Sequence, residues 1–152
     1  MRMTQADVDR HEANLAARKK EAVLAAPAMN THRVICLRIA GQIMGGKNNI
    51  GITRTGKRYP KASWAAWRDE KVADIRRQWA ETGAETFTQP VNMRLEYTAA
   101  DHRRRDMPAI LDSIFHVLEK AGVVADDTLL WVSASTRSYD AEHAGATIFL
   151  IW

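Results

Sequence analysis

The hydrophobic and polar positions along the chain follow two periods, which predict both strands and helices. Residues 90–98 carry an apolar side chain at every second position, as is typical of a half-buried strand. Residues 106–121 repeat apolar side chains every three or four positions and precede Gly122, which predicts an amphipathic helix. A second helix with tryptophans on its apolar face is predicted over residues 63–81.

The remaining segments complete one domain. Dense aliphatic and β-branched residues predict a strand over residues 31–40, and two more strands are predicted over residues 128–134 and 147–152. Residues 41–60 hold five glycines and two asparagines, which favours an exposed loop with a short hairpin. A separate helix is predicted over residues 4–26.

This order of elements predicts an α+β fold. We expect a small mixed β-sheet of about four strands with helices packed on one face. Residues 31–152 would form this domain, and residues 1–30 would form an N-terminal helical extension. The apolar residues that end the printed chain, Phe149 to Trp152, are expected to pair in the sheet or to lie at a subunit contact.

Composition excludes several protein classes. With 152 residues, 46% of them hydrophobic and 26% charged, the chain is typical of one globular domain rather than of a disordered protein. A single cysteine, Cys36, excludes a disulfide framework within these residues, and we expect it to be a buried apolar side chain. No apolar stretch approaches the roughly 20 residues of a membrane span. We therefore expect a cytoplasmic protein without membrane contact.

The charge is unevenly distributed. The net charge is +4, but residues 22–68 contain eight lysines and arginines and no acidic residue. Such a basic segment indicates a surface for a polyanion such as nucleic acid. A solvated basic face without a charged partner is the alternative.

Residues 101–127 combine cations and acids. Three arginines, Arg103 to Arg105, run into Asp106, and two further acids, Asp126 and Asp127, follow the predicted helix. Carboxylate oxygens hold Mg²⁺, and arginines bind a phosphate backbone that would otherwise be repelled by those acids. Asp106 is also suited to cap the helix, and the other two acids are also typical of a turn.

The same residues resemble the RusA family of Holliday-junction resolvases. The matching motifs are RRRD at residues 103–106, LEKAG at residues 118–122 and ADD at residues 125–127. An asparagine-bearing loop, a basic turn and a helix containing WRDE at residues 67–70 are also similar. The resemblance covers about residues 31–132. It implies a Mg²⁺-dependent endonuclease, with Mn²⁺ as a substitute, that cuts four-way DNA junctions as a homodimer and is encoded by a phage or prophage.

The resemblance places metal ligands at Asp106 and Asp127, with Asp126 beside the latter. Where the family has a second aspartate and then an asparagine, this chain has Pro108 and Ala109. Asp112 replaces a lysine of the family, one helical turn beyond Pro108, so we predict that it restores the missing charge. A solvated helix face is the alternative for this residue. The predicted catalytic residues are Asp106, Asp112 and Asp127, and the predicted metal ligands are these three with Asp126. DNA contacts are predicted for Lys47, Asn48, Asn49, Arg54, Lys57, Arg58, Lys61, Arg103, Arg104 and Arg105.

Two other functions remain open. Pro108 is consistent with a protein that binds junctions but has lost its metal site. Alternatively, Trp64, Trp67 and Trp79 could stack on single-stranded DNA or RNA, although tryptophans at helical spacing are usually core residues. His116 lies one turn after Asp112 and is left out of the predicted site, because a lone histidine is seldom a ligand.

Overall fold

The structure is a computed structural model that describes residues 32–152, with Lys47 and Asn48 described for the backbone only. The predicted helix over residues 4–26, and the extension to which it belongs, lie outside the described residues. In chain order the elements are β1 Val34–Ala40, β2 Ile50–Ile52, β3 Arg58–Pro60, α1 Ala62–Thr82, β4 Val91–Ala99, α2 Met107–Ala121, β5 Leu130–Tyr139 and β6 Gly145–Ile151. Short 3-10 turns precede β2 (Gly46–Asn49) and β5 (Asp127–Leu129).

The strands form one mixed sheet and one hairpin. The main sheet has the order β1-β6-β4-β5. Strand β6 is antiparallel to both of its neighbours, whereas β4 and β5 are parallel and joined through α2. Strands β2 and β3 pair only with each other. The α+β class, the mixed four-stranded sheet and the hairpin are therefore confirmed.

The core lies between one face of the sheet and the two helices. Every second residue of β4, from Val91 to Ala99, is buried, and the other face of this strand is more exposed. Helix α2 buries the stripe that contains Ile114, Val117 and Leu118, because these side chains recur at helical spacing. Within the described chain, neither helix is long and apolar enough to cross a membrane.

The last apolar residues lie inside the sheet. Phe149 is paired with Cys36 on one side and with Arg94 on the other, so β6 is a central strand. The backbone N–H of Trp152 donates to the Arg33 carbonyl at 3.2 Å. The expectation that this segment pairs in the sheet is confirmed.

Helix α1 covers part of the outer edge of β1. The Gln78 side chain accepts a hydrogen bond from the Arg38 N–H at 2.9 Å and donates to the Arg38 carbonyl at 2.8 Å. One glutamine thus satisfies both backbone groups of Arg38, which would otherwise be open to a further strand. This contact also fixes α1 relative to the sheet.

Two sequence expectations are corrected. Strand β5 continues to Tyr139 rather than ending at residue 134, and nine of its ten residues are exposed. Its polar sequence gave no alternating signal because, as an edge strand, it buries only Leu130. Cys36 is exposed rather than buried, because it lies on the face of β1 opposite the helices.

Truncation of a central core residue should destabilise the domain. Ile148 is fully buried in β6, so Ile148→Ala should lower the free energy of unfolding by about 2–5 kcal/mol, measured by urea denaturation. The matched control is Ile52→Ala in the hairpin, where the side chain is 65% exposed and the same truncation should have little effect. Equal losses in both variants would contradict this placement of the core.

Candidate functional site

A cavity of about 360 Å³ lies where the hairpin and the first 3-10 turn meet the two helices. Its walls come from segments that are far apart in sequence, so it exists only in the folded chain. Apolar and aromatic side chains occur together with two arginines, two aspartates and a histidine. The lining residues are Gly46, Ile50, Arg58, Tyr59, Pro60, Trp64, Arg68, Asp112, His116 and Asp127.

The 3-10 turn is held against α2 by a hydrogen bond. The backbone N–H of Gly46 donates to Ser113 Oγ at 2.9 Å, and Ser113 is a buried polar residue. A Cβ added at Gly46 would lie 3.5 Å from Trp64 Cζ2 and 3.7 Å from Asp112 Oδ2. The turn therefore approaches both helices closely and closes one side of the cavity.

Two of the four predicted metal ligands line this cavity. Asp112 comes from the exposed side of α2, and Asp127 begins the 3-10 turn before β5. Within residues 32–152, neither carboxylate forms a hydrogen bond or an ion pair with another residue. Both acids are therefore free to accept a ligand from outside the chain.

Neighbouring acids have protein partners instead. Asp126 accepts a hydrogen bond from the Thr128 N–H at 2.9 Å and another from the Thr128 hydroxyl, which lowers the pKa of Asp126. Asp101 accepts a hydrogen bond from Arg105 Nη1 at 2.7 Å. Asp126 thus serves as the cap of the second 3-10 turn. Its predicted role as a metal ligand stays a prediction.

Asp106 lies apart from the cavity. It occupies the N-cap position of α2, as the sequence predicted, but its side chain makes no capping hydrogen bond. The helical rise puts it about 9 Å along the axis from Asp112. In the part of the chain that the structure describes, no three histidine, cysteine or acidic side chains form a group suited to a metal ion. The predicted ligand set is not gathered in one place, and the role of Asp106 stays a prediction.

The two carboxylates that line the cavity are hard oxygen donors. Mg²⁺ is usually bound through one or two carboxylates together with waters and substrate phosphates, rather than by a full protein cage. Asp112 and Asp127 provide two hard oxygen ligands of this kind beside Arg58 and Arg68. Their oxygen donors are of the type that Mg²⁺ prefers, whereas a closed structural metal site would need further ligands.

Cations border the acids on the hairpin side. Arg58 is an exposed residue of β3 and forms no ion pair within the described chain. Arg68 pairs with Asp69 at 2.7 Å and lies over the Trp64 ring, 5.4 Å from its centroid. Arg68 is thus fixed in place, while Arg58 is free to contact an anion.

His116 and Trp64 are wall residues that the sequence analysis set aside or assigned to the core. Their ring centroids lie 5.7 Å apart. Burial, together with the charges of Lys120 and Arg68, lowers the pKa of His116. The histidine is therefore neutral at pH 7, and the positive charge at the cavity comes from the two arginines. The spacing of one helical turn between Asp112 and His116 could have placed His116 in the site. No local pattern, however, shows that His116 contacts Trp64, which is distant in sequence.

The predicted DNA contacts lie in the hairpin, in the segments that flank it, and in the loop before α2. Arg54 and Lys57 lie in the tip of the hairpin, and Arg58 lines the cavity. Lys61 is the N-cap residue of α1, and the side chain of Asn49 donates to the Gly45 carbonyl at 2.8 Å. The side chains of Lys47 and Asn48 lie outside the description.

The three arginines at residues 103–105 differ in exposure. Arg105 is largely buried, with 17% of its side chain exposed, and the hydrogen bond to Asp101 raises the pKa of the guanidinium. Arg103 is 87% exposed and lies 3.9 Å from Asp101, and Arg104 is exposed without an ion pair in the described residues. Two of the three therefore face solvent, and the third stabilises the loop.

The tryptophans of α1 also differ. Trp67 and Trp79 are buried in the core, and Trp64 is half-buried in the cavity wall. The core interpretation of the stripe therefore holds for two of its members.

Comparison with known proteins gives no matching family model and no matching curated protein.

The contact between Asp101 and Arg105 predicts a dependence of stability on pH. Hydrogen bonds from Arg105 and from the Arg103 N–H lower the pKa of Asp101 to about 2 from an ordinary value near 3.8. The stabilisation is thus present above pH 3.8 and is lost as the pH falls towards 2. We expect the urea midpoint of Asp101→Asn to lie below that of the native chain at pH 6, and the difference to shrink as the pH falls to 2. A constant difference over this range would contradict the assignment.

Proposed function

We propose that this protein is a Mg²⁺-dependent, structure-selective DNA endonuclease that resolves four-way junctions by symmetric phosphodiester hydrolysis. The observation that carries the proposal is the cavity in which the uncommitted carboxylates of Asp112 and Asp127 lie beside Arg58 and Arg68. Unneutralised acids next to cations suit a metal-assisted reaction on a phosphodiester. The motif resemblance at residues 103–127 adds the choice of a branched DNA substrate.

In this mechanism the chain's own residues bind and orient the DNA. When bound, Mg²⁺ supplies charge neutralisation at the phosphate and lowers the pKa of a water molecule. Asp112 and Asp127 would hold the ion, and Arg58 would bind a non-bridging phosphate oxygen and so reduce repulsion from the two acids. Arg68 is kept in position by Asp69 and contributes positive charge without needing to reorganise.

Exposed cations outside the cavity would extend the DNA contact. Arg54 and Lys57 at the hairpin tip, with Arg103 and Arg104 in the loop before α2, are among the predicted contacts that the structure leaves exposed. They would bind the backbone of the junction arms without reading sequence.

A homodimer is part of the proposal. A junction presents two equivalent strands for cleavage, so symmetric cutting requires two active sites related by a twofold axis. Within residues 32–152, no strand pairs with the outer edge of β5, which carries the exposed side chains of Trp131 and Tyr139. This edge supports an association in which two copies pair their sheets.

A second candidate function is junction binding without hydrolysis. It is favoured by the position of Asp106 outside the cavity, by Pro108 in the first turn of α2, and by the absence of a three-ligand group among the described residues. Under this alternative the arginines bind DNA and the two carboxylates confer no cleavage.

Removal of either cavity carboxylate should abolish cleavage and preserve binding. We expect Asp112→Asn and Asp127→Asn each to lower the rate of junction cleavage in Mg²⁺ by about a hundredfold or more, since even residues that only support a metal ligand contribute 10–100-fold. Binding should be measured on the same labelled junction in EDTA. The matched control is Asp140→Asn, because Asp140 pairs with His143 and does not line the cavity.

Three related measurements on the native chain and on a further variant test the proposal. Binding without cleavage by the native chain in both Mg²⁺ and Mn²⁺ would favour the second candidate. A preference for single strands over junctions in competition would contradict junction selectivity. Asp106→Asn decides how far the resemblance holds, because unchanged cleavage in that variant would remove Asp106 from the site.

The arginine run should separate DNA binding from stability. Arg104→Ala should weaken junction binding and reduce the slope of log affinity against log salt by about one, with an unchanged urea midpoint. Arg105→Ala should lower the urea midpoint instead, because this variant breaks the contact with Asp101. If both variants showed the same change in salt dependence and an unchanged urea midpoint, the assignment of Arg104 to DNA binding and of Arg105 to stability would be contradicted.

A further inference from the structure

We propose that the cavity beside Asp112 and Asp127 receives one unpaired nucleobase, stacked on the ring of Tyr59, while Arg58 binds the phosphate attached to that nucleotide. This inference rests on the proposed function in taking DNA as the ligand. It adds a step to that function, namely that a base leaves its pair and enters the protein near the scissile phosphate.

The size of the cavity selects the kind of ligand. A volume of about 360 Å³ is within the range of small-molecule sites, roughly 300–1,000 Å³, and it accommodates a single base. A base pair with both of its backbones does not fit within this volume. A single base that has left the stack does fit, with its phosphate at the side of the cavity, as in enzymes that extrude a nucleotide.

The walls have the composition of a base-binding site. Tyr59 and Trp64 provide aromatic surface, and Ile50 and Pro60 provide apolar surface around it. Tyr59 is 49% exposed, so its ring is accessible to a ligand. Stacking of a base on such a ring contributes about 1–3 kcal/mol and accepts any base.

The Tyr59 ring is positioned by the facing strand. Tyr59 pairs with Gly51 across the hairpin, and a Cβ added at Gly51 would lie 2.7 Å from Tyr59 Cε2. The ring thus lies directly over the glycine, where any side chain would displace it. A stacking surface that is already fixed loses little conformational freedom on binding.

Charge around the cavity matches the two ends of a nucleotide. Arg58 adjoins Tyr59 in β3 and has no ion pair within the described part of the chain, so its guanidinium is available to a phosphate. Arg68 covers the Trp64 ring at 5.4 Å and leaves Tyr59 as the stacking surface for an incoming base. The base would lie against the ring of Tyr59, and its phosphate would lie next to Arg58.

The test places a single abasic nucleotide, one position at a time, through the four nucleotides on either side of the crossover of a four-way junction. Binding is measured in EDTA, so that no cleavage occurs. At one position the native chain should bind the abasic junction about tenfold more weakly than the intact junction, because a stacked base is lost. Tyr59→Ala should bind both junctions with equal affinity.

Two further variants make the result specific to the ring. Tyr59→Phe retains the ring, so the tenfold dependence should remain. Gly51→Ala retains the tyrosine but displaces it, so the dependence should be lost even though residue 59 is unchanged. Circular dichroism should show the same folded spectrum for all three variants, since residues 51 and 59 lie outside the core.

The outcomes distinguish this inference from the nuclease proposal. The base site is overturned if no position shows the dependence, or if Tyr59→Ala retains it, and in either case cleavage by the native chain in Mg²⁺ would leave the nuclease proposal standing. Dependence at one position without cleavage in Mg²⁺ or Mn²⁺ would support the base site and overturn the nuclease. Failure to bind the junction at all would overturn both.

Discussion

The apolar contact between the two central strands and helix α2 determines where the functional side chains lie. Leu95 of β4, Ile148 of β6 and Ile114 of α2 are completely buried in one core. Because this stripe of α2 faces the sheet, Asp112 and His116 lie on the part of the helix that the sheet does not cover. The hairpin and the first 3-10 turn lie against that side, and the cavity forms between them.

The acids of the cavity are maintained without protein partners, in contrast to the other aspartates of the loops. Asp101, Asp126 and Asp140 are each held by hydrogen bonds that lower their pKa values. The carboxylates of Asp112 and Asp127 accept no hydrogen bond in the described chain, and Arg68, which lines the same cavity, pairs with Asp69 instead. Carboxylates without a protein partner in the described chain are available to a ligand, and these two line one cavity.

Sequence periodicity was sufficient for the elements whose faces differ in burial. Strand β4 and helix α2 each have one buried and one more exposed side, so the spacing of their apolar residues predicted them correctly. Strand β5 was predicted too short because an exposed edge strand has no hydrophobic alternation to detect. Cys36 was misplaced for a related reason, since β1 is apolar on both faces but only one of them is covered.

The candidate site was only partly accessible to sequence reasoning. Asp112 and Asp127 were found through the motif resemblance and the one-turn spacing from Pro108. Tyr59 and His116 were not included, because their proximity arises from packing between segments more than 50 residues apart in the printed sequence. Local patterns carry no information about such pairs unless a relative supplies it.

The two edge strands of the sheet differ in how far their outer backbone groups are covered. This asymmetry bears on how copies of the chain could associate. Gln78 occupies the backbone groups of Arg38 at one margin, whereas the margin formed by β5 has no strand beside it in the described chain. If copies pair through β5 as proposed, each would contribute the margin that has no strand beside it in the described chain. Use of the same margin by both copies would favour a closed pair over an open array.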